Sequence, residues 1–288
     1  MRLHKSTPDE NLKNSCCILI PFHHREDLLL PLLNHLKYFP TVVVDDGIIQ
    51  SDWDPWIASH PDIICIRSSG DSGFTNAVNM GLSRIETLGF RFVLVLNDDA
   101  WIGLDDIQHL VQMAQPNRLI SPVIQSQGRR FYGVTIRSWG LVQLNQNRSN
   151  RVDALLGTCL LMPSNLRFDS RFYHGFEDLH LTAMAKHSGF ELLVIEKAIC
   201  RHVGGASLDS KSLKGLRFSV YGHLCLYNSL QRGPIIWSLY LLKVVFTDQA
   251  RGVRMKSIRA INYGVLDWVW SAIAARMASS KAGSNTIK

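Results

Sequence analysis

Short apolar runs alternate with amphipathic segments through the first hundred residues of this 288-residue chain. Four runs are rich in β-branched residues or leucine and end in polar or turn-forming residues: CCILIP (16–21), TVVVDD (41–46), DIICIR (62–67) and FVLVLN (92–97). Such runs are typical of buried strands in a parallel sheet. Segments 26–37 and 73–87 carry apolar residues at helical spacing between them. The alternation predicts an α/β fold, with a mostly parallel sheet flanked by helices.

The same pattern returns later in the chain. We expect strands at LLGTCLLMP (155–163) and ELLVIE (191–196), separated by a helix over 177–189 that begins with two acids and ends at a glycine. The polar stretch from about 115 to 155 predicts loops and short strands at the edge of the sheet.

Composition narrows the class of protein. Apolar residues make up 46% and charged residues 19% of the chain, which excludes a disordered protein. We find no run of roughly 18 apolar residues and no apolar secretion signal, so we expect a cytoplasmic protein that is soluble or peripheral to a membrane. The six cysteines form no C-x-x-C pair, and we expect neither disulfides nor a zinc site.

Positive charge is concentrated at the C-terminal end. From residue 211 onward the chain has twelve Lys or Arg against two Asp or Glu, whereas residues 1–210 are slightly acidic. We therefore predict a catalytic or binding domain over 1–210 and a basic helical region over 211–288. The basic region favours an anionic partner, whether phospholipid headgroups, a phosphorylated acceptor or a nucleic acid, and of these we expect a membrane surface and no nucleic acid.

The C-terminal region also has an amphipathic pattern after Gly233 and Pro234, which signal a helix start. Apolar residues recur there at helical spacing, namely Ile258, Ile261, Val265, Leu266, Val269 and Ile273. Basic residues cluster at the start of this segment, namely Arg251, Arg254, Lys256 and Arg259, and Trp268 and Trp270 lie further along. This combination suits a helix lying in a bilayer interface. The alternative is a helix packed on its own domain or on a second subunit in a homodimer.

Acidic residues stand where two predicted strands end, Asp45 with Asp46 and Asp98 with Asp99. Ligands of doubly wound sheets bind beyond the carboxyl ends of the strands. Two adjacent carboxylates repel each other unless a cation lies beside them, and Mg²⁺ or Mn²⁺ commonly binds one or two carboxylates plus substrate phosphates. The pattern therefore indicates a site for a nucleotide diphosphate, with a solvated turn or helix cap as the alternative.

Several stretches, taken in order, resemble glycosyltransferase family 2, the inverting enzymes of the GT-A fold, and within it the rhamnosyltransferase-like and galactofuranosyltransferase-like branch. They are ILIPFHHREDLLLPLLNHL, VVVDDG, SGDSGFTNAVNMGL, VLNDDA, GTCLLMP, FYHGFEDLHLTAMAKHSGFELLVI and CRHVGGAS, and they cover roughly residues 16 to 206. The resemblance implies a Rossmann-like sheet, a nucleotide-sugar donor and a divalent cofactor, Mn²⁺ or Mg²⁺.

The resemblance also implies roles for individual residues. The donor nucleotide and sugar would be bound by Pro21, Phe22, Asp45, Asp46, Gly73, Asn76, Asn79 and Asp98. Asp99 and His202 would bind the metal. The alternative for the stretch from Gly73 is an ordinary helix start.

Asp178 would be the catalytic base, and Glu177 would contact the acceptor or hold the base in place. Transfer with inversion is a single displacement, so one carboxylate must accept the proton of the acceptor hydroxyl. Because the metal neutralises the leaving diphosphate, no second catalytic acid is needed. The alternative for the two acids is to complement a helix dipole.

The chain also departs from the branch. His180 stands where many members have a second Asp, His23 and His24 replace an asparagine, and Tyr227-Asn228 matches half of an Arg-Asn pair. We expect rhamnose transfer from dTDP-rhamnose to a saccharide or lipid-linked acceptor in surface polysaccharide synthesis, with a UDP-hexose or UDP-galactofuranose donor as the alternative. A sugar nucleotidyltransferase and a non-enzymatic membrane-binding module are alternatives from other classes.

Overall fold

The computed structural model describes residues 15–47, 59–60, 62–70, 72–137, 142–149, 151–203, 212–231, 235–236, 238–242, 259 and 261–269. The chain divides into two compact units, one formed by Met1–Ile136 with Val142–Ala206 and the other by Arg137–Leu141 with Ser207–Lys288. The predicted helix start at Gly233 and Pro234, most of the basic cluster, Trp270 and Ile273 lie outside the described residues.

The first unit contains eleven named strands and four named helices among the described residues. They are β1 (Cys16–Phe22), α1 (Glu26–Leu36), β2 (Thr41–Asp45), β3 (Ile63–Arg67), α2 (Phe74–Thr87), β4 (Phe92–Leu96), β5 (Ala100–Ile102), α3 (Leu104–Gln112), β6 (Arg118–Ser126), β7 (Arg129–Phe131), β8 (Val134–Ile136), β9 (Val142–Leu144), β10 (Cys159–Pro163), α4 (Glu177–His187) and β11 (Glu191–His202). The predicted strands and helices of the first hundred residues all form.

The main sheet has the strand order β3-β2-β1-β4-β10-β6-β11-β5, and β7 pairs with β6. Strands β1 to β4 are mutually parallel, as are β6 and β11, whereas β10 runs antiparallel to both β4 and β6. The carboxyl ends of β1, β2, β4, β6 and β11 therefore meet at one edge of the sheet, together with the start of β10. The predicted α/β fold is confirmed.

Helices cover both faces of this sheet because alternate strand residues point to opposite sides. In β1, Ile18 and Ile20 belong to one apolar cluster, and Cys17 and Leu19 belong to the other. Helices α1 and α3 pack on the first cluster, through Leu29, Leu32, Leu33, Leu36, Ile107 and Leu110. Helices α2 and α4 pack on the second, through Val78, Leu82, Ile85, Leu181 and Ala185.

The prediction for residues 115–155 was wrong in one respect. Arg118–Ser126 forms a nine-residue strand in the interior of the sheet rather than an edge loop. Pro122 obscures this strand in the sequence because proline lacks the N–H that a ladder uses. The neighbouring strand adapts, since the register of β11 against β6 shifts between Ile195 and Ile199, next to Pro122.

The second unit contains α5 (Leu213–Ser229) and further helical residues at 235–242 and 261–269, with gaps in the description. Val220, Leu224, Tyr227 and Tyr240 form its buried cluster, which Ile236, Leu241, Ile261, Val265 and Trp268 complete. Arg217 binds Asp267 through two hydrogen bonds of 2.6 and 2.7 Å. In the described part of the chain, we find no helix that combines the length and the hydropathy of a membrane span.

Candidate active site

The end of β4 carries the paired acids, Asp98 and Asp99. The Asp98 carboxylate accepts a 3.3 Å hydrogen bond from the backbone N–H of His23. Asp99 Oδ1 lies 3.1 Å from His202 Nε2. The contact follows from strand pairing, because His202 of β11 is opposite Ala100 of β5. The structure therefore brings together the two residues predicted to bind metal, which are 103 positions apart in the sequence.

Burial dominates the electrostatics of Asp98. Loss of solvent and, to a smaller extent, the charge of Asp99 raise the pKa of its carboxyl to about 6, although the His23 N–H and the charge of Arg25 oppose the rise. A buried pair of adjacent carboxylates is stable only with positive charge or a proton nearby, so this strand end is suited to attract a cation.

A cavity of about 200 Å³ opens beside these acids. Its lining is mostly apolar apart from the acids, Arg201 and His202, and consists of Leu28, Leu32, Asp98, Asp99, Ala100, Trp101, Arg201, His202 and Val203. Trp101 is 41% exposed and stacks on His35 with ring centroids 4.2 Å apart. A larger cavity of about 510 Å³, bordered by Tyr132, Lys186 and Glu196, contains none of the predicted site residues.

The Asp99–His202 pair fits a divalent ion that also binds phosphate. Within the described ranges, no cluster of three or more His, Cys, Asp or Glu is arranged to hold a metal. Mg²⁺ and Mn²⁺ need few protein ligands when substrate phosphates supply the others. Two ligand atoms about 2.1 Å from one ion and at right angles lie about 3 Å apart, which agrees with the observed separation.

Asp46 organises the loop that leads into α2. Its carboxylate accepts hydrogen bonds from the Ser68 hydroxyl, from the hydroxyl and backbone N–H of Ser72, and from the backbone N–H of Gly73. The neighbouring Asp45 accepts from the backbone N–H of Gly47 at 3.0 Å, with Arg67 at 3.8 Å. Asp46 therefore holds the loop through four hydrogen bonds, whereas Asp45, which is equally buried, contacts Gly47 and Arg67.

The predicted glycine and asparagines serve the same loop and helix. Gly73 has φ of 88°, and a Cβ there would lie 2.8 Å from the backbone oxygen of Tyr173, so the position excludes other residues. The amide of Asn79 both donates to and accepts from the backbone of Phe168, at 2.9 and 3.0 Å. Asn76 is exposed and donates to the Ser72 carbonyl. Of the two amides, Asn76 is the one that faces solvent.

The two residues at the end of β1 are buried. The Phe22 side chain is 2% exposed and belongs to the apolar cluster beneath α1. Its carbonyl accepts a 3.0 Å hydrogen bond from the N–H of Asp46. Pro21 is also buried and pairs with Val44 of β2. Both residues therefore border the site through the backbone of β1.

Asp178 is the second residue of α4 and is held by backbone donors on both carboxylate oxygens. Gly157 N–H donates to Oδ2 and Leu179 N–H donates to Oδ1, each at 2.7 Å. The preceding residues, Gly175 and Phe176, have φ of 85° and 71°. A left-handed phenylalanine is uncommon and strained, and such strain is concentrated at functional sites.

Burial raises the pKa values of both acids at the start of α4. For Asp178, desolvation raises the pKa, while the N–H donors of Gly157 and Leu179 lower it. For Glu177, desolvation and the charge of Asp178 raise the pKa to about 8. Glu177 Oε2 is buried and has no hydrogen-bond partner among the described residues. Asn97 Oδ1 is also buried without such a partner.

Backbone pairing brings Asp178 to the edge that carries Asp98 and Asp99. Gly157, which binds Asp178, precedes Thr158, and the Thr158 carbonyl accepts a 3.0 Å hydrogen bond from Asn97 N–H. One edge of the sheet thus carries the strand-end acids, His202 and the start of α4.

Sequence reasoning missed the residues that hold these acids in place. The backbone N–H groups of His23 and Gly157 act through atoms that every residue except proline has, so residue type does not reveal them. Thr182 could have been found, because it stands four residues after Asp178 and its hydroxyl donates to the Asp178 carbonyl at 2.8 Å. His180, at the position of the missing second Asp, is buried against Phe172 and lies 4.0 Å from Asp169.

The raised pKa of Glu177 predicts a pH-dependent stability. A carboxyl whose pKa is higher in the folded than in the unfolded state contributes stability below pH about 4.5, which is lost as pH rises towards 8. Glu177→Gln, which stays neutral, should remove this loss and unfold less readily than the wild type at pH 8 by about 1 to 4 kcal/mol. Urea unfolding at pH 5 and pH 8 measures the free energy of unfolding of each protein, and Glu191→Gln, at an exposed position, is the control. Equal pH slopes for Glu177→Gln and wild type would contradict it.

Comparison with known proteins agrees with this geometry. The family model for glycosyl transferase family 2 matches residues 17–163, just over half of the chain. The match spans β1 to β10 and includes the paired acids at the end of β4. Among curated proteins, none matches this chain in sequence.

Solved structures share the fold at low sequence identity. GalNAc-T7 with UDP, GalNAc and Mn²⁺ is 12% identical with a TM-score of 0.59, over 76% of this chain and 48% of the other. TarS 1-349 of S. aureus in complex with UDP is 13% identical with a TM-score of 0.52, and the match covers 92% of each chain. The complex of TarS 1-349 with UDP-GlcNAc is 15% identical with a TM-score of 0.53, and the match covers 88% of this chain and 81% of the other.

This chain spans about half the length of the GalNAc-T7 chain. At these identities the likeness concerns the fold, and it confirms the predicted GT-A architecture. With the family match over β1 to β10 and the strand-end acids in their expected place, the chain belongs to glycosyl transferase family 2, as its motifs predicted.

Proposed function

We propose that this protein is a metal-dependent inverting glycosyltransferase that moves a sugar from a nucleotide donor to a hydroxyl of a saccharide or lipid-linked acceptor. The observation that carries the proposal is the arrangement at one sheet edge, where Asp99 and His202 lie 3.1 Å apart and Asp178 is tied to the same edge through Gly157. This arrangement would combine a cation site, to stabilise the leaving group, with a separate carboxylate, to accept the proton in a single displacement.

The proposed chemistry assigns one task to each group. Asp99 and His202 would hold Mn²⁺ or Mg²⁺, which when bound neutralises charge on the leaving diphosphate. The acceptor oxygen bonds to the anomeric carbon as the bond to the diphosphate oxygen breaks, and Asp178 accepts the proton of the hydroxyl. Burial raises the pKa of Asp178 towards the range of an effective base.

The proposal includes the identity of the donor. We favour dTDP-rhamnose, with UDP-hexose or UDP-galactofuranose as the alternative. The UDP named in the GalNAc-T7 and TarS complexes supports a nucleoside diphosphate leaving group in general. Among the predicted donor-binding side chains, Asn76 is exposed and Asp98 lines the cavity at the end of β4.

We also propose that the second unit attaches the protein to the cytoplasmic face of a membrane, where polysaccharide precursors are extended. Ile235, Leu239 and Leu242 are 72%, 49% and 51% exposed and recur at helical spacing, so they share one face. Leu266 and Val269 are also exposed, although Val265 and Trp268 beside them pack inward. Exposed apolar side chains in a strongly basic region suit an anionic bilayer.

Replacement of the base tests the proposed chemistry. Asp178→Asn should lower the rate of sugar transfer roughly a thousandfold, since the amide cannot accept the proton, yet leave donor binding within a few fold. Asp105→Asn, at an exposed acid in the first turn of α3, is the matched control and should transfer normally. Transfer by Asp178→Asn at the control rate would remove Asp178 from its role.

Donor identity and metal dependence are tested by thermal unfolding. The melting temperature of the wild type should rise with one member of a panel of dTDP- and UDP-sugars, and only when Mn²⁺ is present, because a ligand of the folded state stabilises it. His202→Ala should lose this Mn²⁺-dependent rise, and His187→Ala, at an exposed position at the end of α4, should keep it. Equal rises with and without Mn²⁺ would contradict the metal site.

Membrane attachment is tested by sedimentation with vesicles of phosphatidylglycerol and phosphatidylcholine. Leu239→Ser with Leu242→Ser should weaken binding about tenfold or more, since two apolar side chains no longer enter the interface. The control is Leu144→Ser, which changes a similarly exposed leucine of the first unit. Unchanged binding by the double variant would exclude this face as the attachment surface.

A further inference from the structure

The segment before β10 is in unusually close contact with the predicted base. Gly157 N–H donates to Asp178 Oδ2 at 2.7 Å. A Cβ added at Gly157 would lie 2.7 Å from Asp178 Cβ and 3.2 Å from its Oδ2. Because Asp178 Cβ is attached directly to the backbone of α4, it cannot move away as a flexible side-chain end could. Only glycine permits this approach.

Helix α4 holds the same segment at a second point. The Thr182 hydroxyl accepts a 2.9 Å hydrogen bond from Leu155 N–H and donates to the Asp178 carbonyl. Thr182 is fully buried, so this bridge is shielded from water. Residues 155–157 are therefore attached to the first turn of α4 through Thr182 on one side and Asp178 on the other.

The next residue attaches the segment to the end of β4. The Thr158 carbonyl accepts from Asn97 N–H at 3.0 Å, and Cys159 pairs with Leu96. Asn97 immediately precedes Asp98 and Asp99. A continuous path of short hydrogen bonds thus runs from the Asp178 carboxylate through Gly157 and Thr158 to the strand end that carries the paired acids.

We propose that Gly157 is a positioning residue, which sets the location and orientation of the Asp178 carboxylate relative to the acids at the end of β4. This inference rests on the proposed function, in which Asp178 is the base and Asp99 helps to bind the metal. A methyl group at residue 157 would push the start of α4 away from β4 and lengthen or break the N–H bond to Asp178.

The consequence concerns the chemistry as well as the geometry. Hydrogen bonds from N–H groups stabilise the charged form of a carboxylate, so the Gly157 bond opposes the effect of burial on Asp178. Glu177 is the neighbouring titratable group, and its charge acts on the same site. Loss of the Gly157 bond should therefore leave a misplaced base that binds its proton more tightly.

Gly157→Ala is the direct test. We expect kcat for sugar transfer to fall about a hundredfold, as displacement of a catalytic group by about 1 Å allows, while KM for the donor stays within about threefold. The acidic limb of the pH–rate profile should move to higher pH. Gly103→Ala is the control, because Gly103 has φ of −67° and an added Cβ would meet only the Asp106 side chain, at 3.3 Å.

A fall in kcat of Gly157→Ala without a shift of the acidic limb of its pH–rate profile would overturn the proposal. A general loss of structure lowers the rate by the same factor at every pH and does not move the limb. Gly157 has no left-handed φ, so backbone strain does not complicate the alanine variant. If Gly157→Ala does not fold, Thr182→Val tests the same segment by removing the hydroxyl that binds Leu155 and Asp178. The acidic limb of the pH–rate profile of Thr182→Val should move to higher pH, whereas that of Thr182→Ser should stay at the wild-type pH. Acidic limbs at the same pH in the two variants would overturn the proposal.

A measurement without turnover separates this inference from the proposed function. The carboxyl carbon of Asp178 can be titrated by NMR and assigned by its absence from the Asp178→Asn spectrum. Its pKa should be higher in Gly157→Ala than in wild type. If the wild type transfers no sugar, the proposed function fails and the titration still decides the contact, because an unchanged pKa would refute the role of Gly157.

Discussion

Antiparallel pairing of β10 with β4 is the constraint on which the site depends. It places the start of β10 beside the end of β4, so that Thr158 binds Asn97 and Gly157 reaches Asp178. A parallel strand in that place would begin at the opposite edge of the sheet and leave the start of α4 far from Asp98 and Asp99. The change of strand direction in the middle of the sheet therefore brings the start of α4, with Asp178, to the edge that carries Asp98 and Asp99.

Burial of acids without full compensation is the second feature of the molecule. Asp98, Glu177 and Asp178 all have raised pKa values because each has lost solvent. Such groups reduce stability at neutral pH, as the cost of desolvating a charge exceeds the gain from a few N–H donors. A cation beside Asp98 and Asp99, or a proton on Glu177, would offset that cost.

Other polar residues of the predicted motifs stabilise the structure through hydrogen bonds. Asp46 is as buried as the catalytic candidates, but four hydrogen-bond donors from residues 68–73 satisfy its carboxylate. Asn79 likewise attaches the backbone of Phe168 to α2. The two halves of the Asp45-Asp46 pair thus differ in environment although they are adjacent and identical in type. The sequence pattern could identify the pair but could not assign a task to each member.

The sequence by itself determined the strands and helices of the first hundred residues, the position of acids at strand ends and the family, because hydrophobic periodicity and motif order are local properties. It did not reveal strand β6, where Pro122 interrupts the apolar pattern, or helix α3. Only the tertiary structure decided that Asp99 meets His202 and that Gly157 meets Asp178. Those contacts depend on strand order, direction and register, which are set by packing between residues far apart in the chain.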